Sequence, residues 1–92
     1  MQGVLSDAEI GGSDLPAKSD KIAGIVYLPR IIRKAEAKLR GELDPNVMYG
    51  CAGDRSFLKK HGDIPMADFL RNVWAADGDP QRVINYVKAQ MS

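Results

Sequence analysis

The sequence predicts a mainly α fold, a small single four-helix domain preceded by a loose N-terminal arm. Apolar residues recur at helical spacing, prolines and capping residues stand where helices would begin, and glycines stand where helices would end. The 92 residues suffice for one domain, and a hydrophobic content of 45% is ordinary for a folded chain. Such a domain has a thin core, so we expect that burial of further surface in a homodimer would be favourable.

The arm comprises residues 1–20, and the helical domain comprises residues 21–92. Turn formers and helix breakers are dense in the arm, and they include Gly3, Gly11, Gly12 and Pro16. Because these residues disfavour regular structure, we expect the arm to have little structure of its own.

Residues 22–28 are predicted to form a short strand or an irregular turn, because Gly24 disfavours a helix and Ile25 is β-branched. Pro29 then starts the first helix with Leu28 as its N-cap, since proline suits the first helical turn. The predicted inner face consists of Leu28, Ile32, Ala35 and Leu39. The predicted solvent face consists of Arg30, Arg33, Lys34, Lys38 and Arg40. Gly41 is expected to end the helix in the left-handed conformation.

The middle of the chain is predicted to be irregular. A turn is expected at Asp44-Pro45-Asn46, followed by a brief extended segment over residues 47–49. Asp54 is the expected N-cap of a short second helix, which runs from Arg55 to about His61 and ends at Gly62.

Two further helices complete the domain. Pro65 starts the third helix, whose apolar stripe is Met66, Phe69, Leu70, Val73 and Trp74. We expect this stripe to be core, with a groove for a partner helix as the alternative. Asp77-Gly78 ends the third helix, and Asp79-Pro80 caps and starts the fourth. The last stripe is Val83, Ile84, Val87 and Met91.

Three segments carry a resemblance to a known family. They are Ile22-Ala-Gly-Ile-Val-Tyr-Leu-Pro-Arg, Lys34-Ala-Glu-Ala-Lys-Leu and Tyr49-Gly-Cys-Ala-Gly-Asp-Arg-Ser-Phe-Leu. Together they resemble a bacterial group, domain of unknown function family 5069, from about Leu15 to Val87. Arg33 and Glu36 carry charges exchanged relative to the family pattern, which keeps an i,i+3 pair in either order. The resemblance implies bacterial origin and the domain boundaries, and it implies no activity, substrate or site residue.

Charge and composition disfavour several classes of function. The net charge of +1 argues against a strongly basic nucleic-acid binder, although residues 21–40 carry six bases and one acid, a local charge of +5. The N-terminal residues lack the pattern of a secretory signal, and the apolar run Ile22–Pro29 is too short to cross a bilayer. A single cysteine excludes an intrachain disulfide. We therefore expect a cytoplasmic protein with no membrane role.

Cys51 is the best enzymatic candidate, because it lies in a glycine-rich loop before a predicted helix. His61 could act as its base and Asp54 could orient that base, which would make a small thiol-dependent enzyme. The ordinary alternatives are favoured: Cys51 as a small buried hydrophobe and His61 as a helix-end cap. One cysteine and one histidine fall short of a four-ligand zinc site, so neither a metal nor a cofactor is expected.

The basic face of the first helix suggests two further interpretations. With the third and fourth helices as a helix-turn-helix, the base-reading residues would be Gln81, Arg82, Asn85 and Lys88. Acids at the start of the fourth helix disfavour this nucleic-acid-binding interpretation. Arg30 lies in a first helical turn, so a partner acid such as Asp20, Glu42 or Asp54 is favoured over an external anion. The preferred function is a non-enzymatic interaction or assembly module that binds a protein partner or itself.

Overall fold

The structure is a computed structural model that describes residues 14–44 and 46–91. In this part of the chain, two short strands precede four helices. The strands are β1 (Lys21–Ile22) and β2 (Ile25–Val26), and the helices are α1 (Leu28–Leu39), α2 (Ala52–Lys60), α3 (Met66–Ala76) and α4 (Pro80–Met91). The mainly α four-helix prediction is confirmed.

Residues 22–28, predicted to form a short strand or an irregular turn, contain part of the β1–β2 hairpin and the start of α1. Ile22 pairs with Ile25 in antiparallel register, and the two loop residues, Ala23 and Gly24, have φ of 53° and 79°. Positive φ at both positions matches the twist of a two-residue hairpin turn. The hairpin delivers the chain directly to α1.

Helix α1 begins one residue earlier than predicted. Tyr27 is the N-cap, with φ of 79°, and Pro29 occupies the second helical position instead of the first. The backbone N–H of Tyr27 donates to the carbonyl of Asp20 at 2.9 Å, which fixes this N-cap against the preceding segment. At the other end, Gly41 has φ of 71°, so the predicted left-handed stop is confirmed.

Helix α2 begins three residues before the predicted start. Cys51 is its N-cap in an extended conformation, and Asp54 is therefore the third helical residue and not the cap. Before it, Asp44 makes the predicted turn: its carboxylate accepts the N–H of Asn46 and its carbonyl accepts the N–H of Val47, both at 2.8 Å. Pro45 lies outside the described residues.

Helices α3 and α4 are joined by the predicted turn. Asp77 and Gly78 both have positive φ, and Asp79 Oδ1 accepts the N–H of Gln81 at 3.0 Å, as expected of an N-cap. Near the end of α2, a Cβ on Gly62 would lie 2.4 Å from the carbonyl oxygen of Gln90. The glycine that ends α2 therefore also permits the backbone of α4 to approach.

The core lies between α1, α3 and α4, with α2 and the hairpin covering the remaining side of α1. Its fully buried residues include Leu28, Ile31, Leu58, Phe69, Val83 and Val87. Because α1 is covered on more than one side, its buried sector is wider than the predicted stripe and includes Lys34. The prediction that Lys34 faces solvent is wrong.

Three residues predicted to face inward are exposed. Leu39 occupies the last position of α1, and Met91 the last described position of α4, where the chain leaves the core. In α3 the buried residues are Phe69, Val73 and Ala76, and Trp74 lies one step around the helix from Val73. The predicted stripe of α3 is therefore correct for Phe69 and Val73, and Met66 and Leu70 pack partly buried against the core, but Trp74 is outside it.

Residues 1–13 of the predicted arm lie outside the described residues. Within residues 14–20, Leu15 is buried, and the N–H of Ala17 donates to the carboxylate of Asp20 at 3.2 Å. Among the helices of the described chain, none is long and apolar enough to cross a membrane.

Candidate functional site

A buried polar cluster joins α1 to the start of α2. Lys34 Nζ lies 3.2 Å from Oδ1 and 3.1 Å from Oδ2 of Asp54, and the two residues are 3% and 0% exposed. The Tyr27 hydroxyl donates to Asp54 Oδ1 at 2.6 Å, and the Gly50 N–H donates to Asp54 Oδ2 at 2.9 Å. We call Tyr27, Lys34, Gly50, Cys51 and Asp54 the polar cluster.

Local structure explains why these groups meet. Tyr27 is the N-cap of α1 and Lys34 lies within that helix, and both side chains reach Asp54. Asp54 lies in the first turn of α2, where unpaired N–H groups and the helix dipole favour a carboxylate. Gly50, with φ of 99°, turns its N–H back toward that carboxylate. The cluster therefore connects the hairpin end of α1 with the N-terminus of α2.

The pKa values in the cluster follow from burial and hydrogen bonding. Burial by itself raises the pKa of Asp54, but bonds from Tyr27, Gly50 and Lys34, together with the Lys34 charge, outweigh it and lower the pKa below 3.8. Burial, followed by the bond to the Asp54 carboxylate, raises the pKa of Tyr27. Burial and the same carboxylate raise the pKa of Tyr49. Asp54 is thus held ionised and both tyrosines are held neutral.

Cys51 contacts Lys34 and not His61. Lys34 Nζ lies 3.6 Å from Cys51 Sγ, and Cys51 is half-buried at the N-cap of α2. His61 is the C-cap of the same helix, about 15 Å away at ~1.5 Å per residue. Its Nδ1 lies 2.7 Å from the carbonyl oxygen of Phe57, and its ring stacks on the Phe57 ring. The structure therefore gives His61 its expected helix-end position and forms no Cys51–His61 dyad.

The hydrogen bonds of Asp54 limit what the cluster can do chemically. Its two oxygens accept from three donor groups, one of which, Lys34, reaches both oxygens. A carboxylate with this many donors has little basicity left for taking a proton from a substrate. Asp54 therefore suits a structural anchor better than a general base. Over the described residues, no group of three or more His, Cys, Asp or Glu could hold a metal ion.

A second region, unlike the polar cluster, is exposed and mainly apolar. Trp74 is 71% exposed and Leu39 is 40% exposed, and both line one groove of about 380 Å³ together with Ala67, Leu70 and Arg71. We call Leu39, Ala67, Leu70 and Trp74 the α1/α3 face. An exposed tryptophan beside an exposed leucine is typical of a contact surface for another molecule. The sequence predicts core positions for Leu39 and Trp74, because both fit the helical spacing of a core stripe. A groove for a partner helix is only the alternative for the stripe that contains Leu70 and Trp74.

Arg30 takes none of its predicted acid partners. Its Nη1 donates to the carbonyl oxygen of Pro16 at 3.1 Å, and its Nε is buried without a hydrogen-bond partner. The ion pairs among the described residues are Lys34–Asp54, Arg71–Asp68 and Arg82–Asp79. A backbone carbonyl therefore anchors Arg30, and an external anion as a further partner stays a prediction.

The basic surface expected for nucleic-acid binding is reduced. It would have joined Arg30, Arg33 and Lys34 to Arg82 and Lys88 across α1 and α4. Lys34 is buried against Asp54, and Arg82 lies 3.8 Å from Asp79. The side chains proposed to read bases also bond one another, since Gln81 Nε2 donates to Asn85 Oδ1 at 2.9 Å.

No protein-family model, curated protein or solved structure matches this chain. The resemblance to the bacterial family of unknown function therefore stays a prediction.

Proposed function

We propose that this chain is a non-enzymatic interaction or assembly module that binds another protein chain through the α1/α3 face. The observation that carries the proposal is the 71% exposure of Trp74, the chain's single tryptophan, beside the exposed Leu39. The cytoplasmic location and bacterial origin predicted from the sequence belong to the same proposal.

The free energy of desolvation supports a contact role for Trp74. A tryptophan offers roughly 150–250 Å² of surface, and each Å² of apolar surface removed from water contributes about 25 cal/mol. The core does not require this side chain, because Phe69, Val73 and Ala76 already fill the inner face of α3. Its burial is therefore available to stabilise a complex, and tryptophan is enriched among residues that dominate binding energy.

The surroundings of the face are also typical of a protein interface. Leu70 is half-buried beside Trp74, and charged residues of both signs flank the groove, with Asp68 and Arg71 paired at 2.6 Å. An apolar centre with a polar rim is the usual arrangement of a protein contact. Such a rim keeps the surface hydrated until the partner binds.

Capture of proteins from a cell lysate by the immobilised chain tests this proposal. We would compare the unmodified protein with Trp74→Lys and with Val26→Lys. Val26 is the matched control, because it is 51% exposed and lies in β2, outside the α1/α3 face. The expected result is a protein retained by the unmodified chain and by Val26→Lys but lost with Trp74→Lys. Equal retention by Trp74→Lys would contradict the assignment of the face.

A thiol-dependent role of Cys51 is the second candidate. The contact that favours it is the 3.6 Å separation of Lys34 Nζ from Cys51 Sγ, since a nearby ammonium stabilises the negative charge of a reacting sulfur. The rate of alkylation by iodoacetamide tests it. We expect Lys34→Met/Asp54→Leu, which removes the ammonium without leaving the Asp54 carboxylate buried and unpaired, to slow alkylation. An unreactive native cysteine would remove this candidate.

A further inference from the structure

We propose that the α1/α3 face binds a second copy of this chain, with the two α3 helices antiparallel about a two-fold axis near Leu70. This inference rests on the proposed interaction function and names its partner.

The exposed side of α3 has a large residue at one end and a small one at the other. Ala67, Leu70, Arg71 and Trp74 are spaced i, i+3, i+4 and i+7, so they form one stripe along the helix. This stripe is symmetric in position about the point between Leu70 and Arg71. When two copies are reversed against each other about that point, Ala67 of one faces Trp74 of the other.

A two-fold interface requires one surface to be complementary to itself. The α1/α3 face meets this requirement, because it carries both a projecting indole and a groove to receive it. The groove is lined by Leu39, Ala67 and Leu70, and its volume of about 380 Å³ lies beside Trp74 on the same face. Each indole would fill the space over the small Ala67 of its neighbour, and this contact would occur twice.

At the centre of the pair, Leu70 of one copy would lie against Arg71 of the other. The aliphatic stem of arginine packs on apolar surface while its guanidinium stays in water. Leu39 and Trp74 also line a second, neighbouring groove. The charged residues around the two grooves include the acids Glu36 and Asp77 and the bases Arg40 and Arg71. Because both signs are present, two copies can approach without the repulsion that a rim of one sign would cause.

The available area predicts a weak dimer. A stable interface buries about 800 Å² per partner, and a single helix face with one tryptophan provides less. We therefore expect a dissociation constant on the order of 100 μM, so the chain would be monomeric when dilute and would associate at high concentration.

Sedimentation equilibrium from about 10 μM to about 1 mM measures this association, and the emission of the single tryptophan reports on the face itself. The unmodified chain should approach twice its monomer mass, and its emission should shift to shorter wavelength as concentration rises. Trp74→Ala removes the indole and Ala67→Trp fills the groove, so each should weaken association at least about tenfold. Val26→Lys should associate normally.

The double variant Ala67→Trp/Trp74→Ala tests the antiparallel arrangement directly. Exchanging the large and small residues preserves their pairing only in the antiparallel two-fold arrangement, so the double variant should regain association that both single variants lose. Both positions are exposed, so each variant should fold. Circular dichroism of each variant checks this.

Several results would overturn the inference. If the unmodified chain stays monomeric at about 1 mM, the expected self-association does not occur. Association that survives Ala67→Trp, or that the double variant does not restore, excludes the antiparallel geometry. The proposed interaction function fails separately, when capture by the unmodified chain and by Trp74→Lys is the same.

Discussion

Helix α1 takes part in two regions of opposite character, the polar cluster and the α1/α3 face. In the cluster a lysine that is 3% exposed lies inside the protein, and on the face a tryptophan that is 71% exposed lies outside. Simple amphipathic spacing predicts the reverse for both residues. Each departure has its own cause, and the causes are different.

The cluster is stable within the chain because every charge in it has a partner. Lys34 and Asp54 neutralise one another, and Tyr27 and Gly50 occupy further positions around the carboxylate. The α1/α3 face has no corresponding contact within the chain. Its apolar surface is exposed to water, which is unfavourable. The buried charge is explained by contacts within the chain, whereas for the exposed indole we propose a contact with another chain.

The largest expected effect follows from breaking the buried pair. Asp54→Asn should destabilise the fold by about 3–5 kcal/mol, because it leaves the Lys34 ammonium buried without its counter-charge. Urea unfolding followed by circular dichroism measures the change. As a control, Asp68→Asn breaks the exposed pair with Arg71 and should cost about 0.2–1 kcal/mol.

The double variant Lys34→Met/Asp54→Leu distinguishes a lost charge balance from lost hydrogen bonds. We expect it to recover most of the stability that Asp54→Asn loses, because apolar residues of similar volume replace buried ion pairs well. If the double variant is as unstable as Asp54→Asn, the cluster contributes through its specific hydrogen bonds, and the charge argument is wrong.

Acidification should weaken the fold through the same carboxylate. The pKa of Asp54 is lowered from 3.8 in the folded protein, so the folded state binds fewer protons than the unfolded state at acidic pH. Its contribution to stability is therefore present above about pH 4 and is lost as pH falls through the lower folded value. Unfolding free energies measured from about pH 6 to about pH 2 should decline, and the decline should be smaller in Lys34→Met/Asp54→Leu.

Gly53 gives a smaller test of how tightly the cluster is packed. A Cβ at this position would lie 3.0 Å from the Tyr27 hydroxyl oxygen. Alanine normally stabilises a helix by about 0.5–1 kcal/mol relative to glycine, but here the crowding should cancel that gain. In a Tyr27→Phe background, which lacks the hydroxyl, Gly53→Ala should become stabilising. Equal effects in the two backgrounds would show that Tyr27 is not held as described.

The smallest expected change in the free energy of unfolding is on the α1/α3 face. Trp74→Lys should change the unfolding free energy of the monomer by less than about 0.5 kcal/mol, because an exposed side chain contributes little to the core. Urea unfolding at a low protein concentration measures it. A loss above about 2 kcal/mol would mean that Trp74 is a core residue after all, and the comparison between the two regions would fail.

Much of the fold could be predicted from local signals. The stops at Gly41 and Gly62 depend on positive φ, and the Asp79 cap depends on a side chain two residues from its donor. Such features involve neighbouring residues, so the sequence contains them directly. The one-residue shift to the Tyr27 cap and the early start of α2 were missed, because contacts from Asp20 and Gly50 decide those boundaries.

The candidate sites were less predictable, because their residues come from separate elements. Cys51, Asp54 and Arg30 were singled out in advance, but Lys34 as the partner of two of them was not, since it fitted the solvated face. For Leu39 and Trp74, helical spacing alone could not reveal which side of each helix would be covered.

By itself the sequence determined the four helices and the glycines and aspartates at which they stop, because these depend on residues close together in the chain. Only the tertiary structure decided that Lys34 is buried and Trp74 exposed. Spacing states which residues share a side of a helix, but burial depends on which sides its neighbours cover. The start of α2 places Asp54 and Cys51 against the lysine, and the packing of α3 on α1 and α4 leaves the tryptophan in solvent.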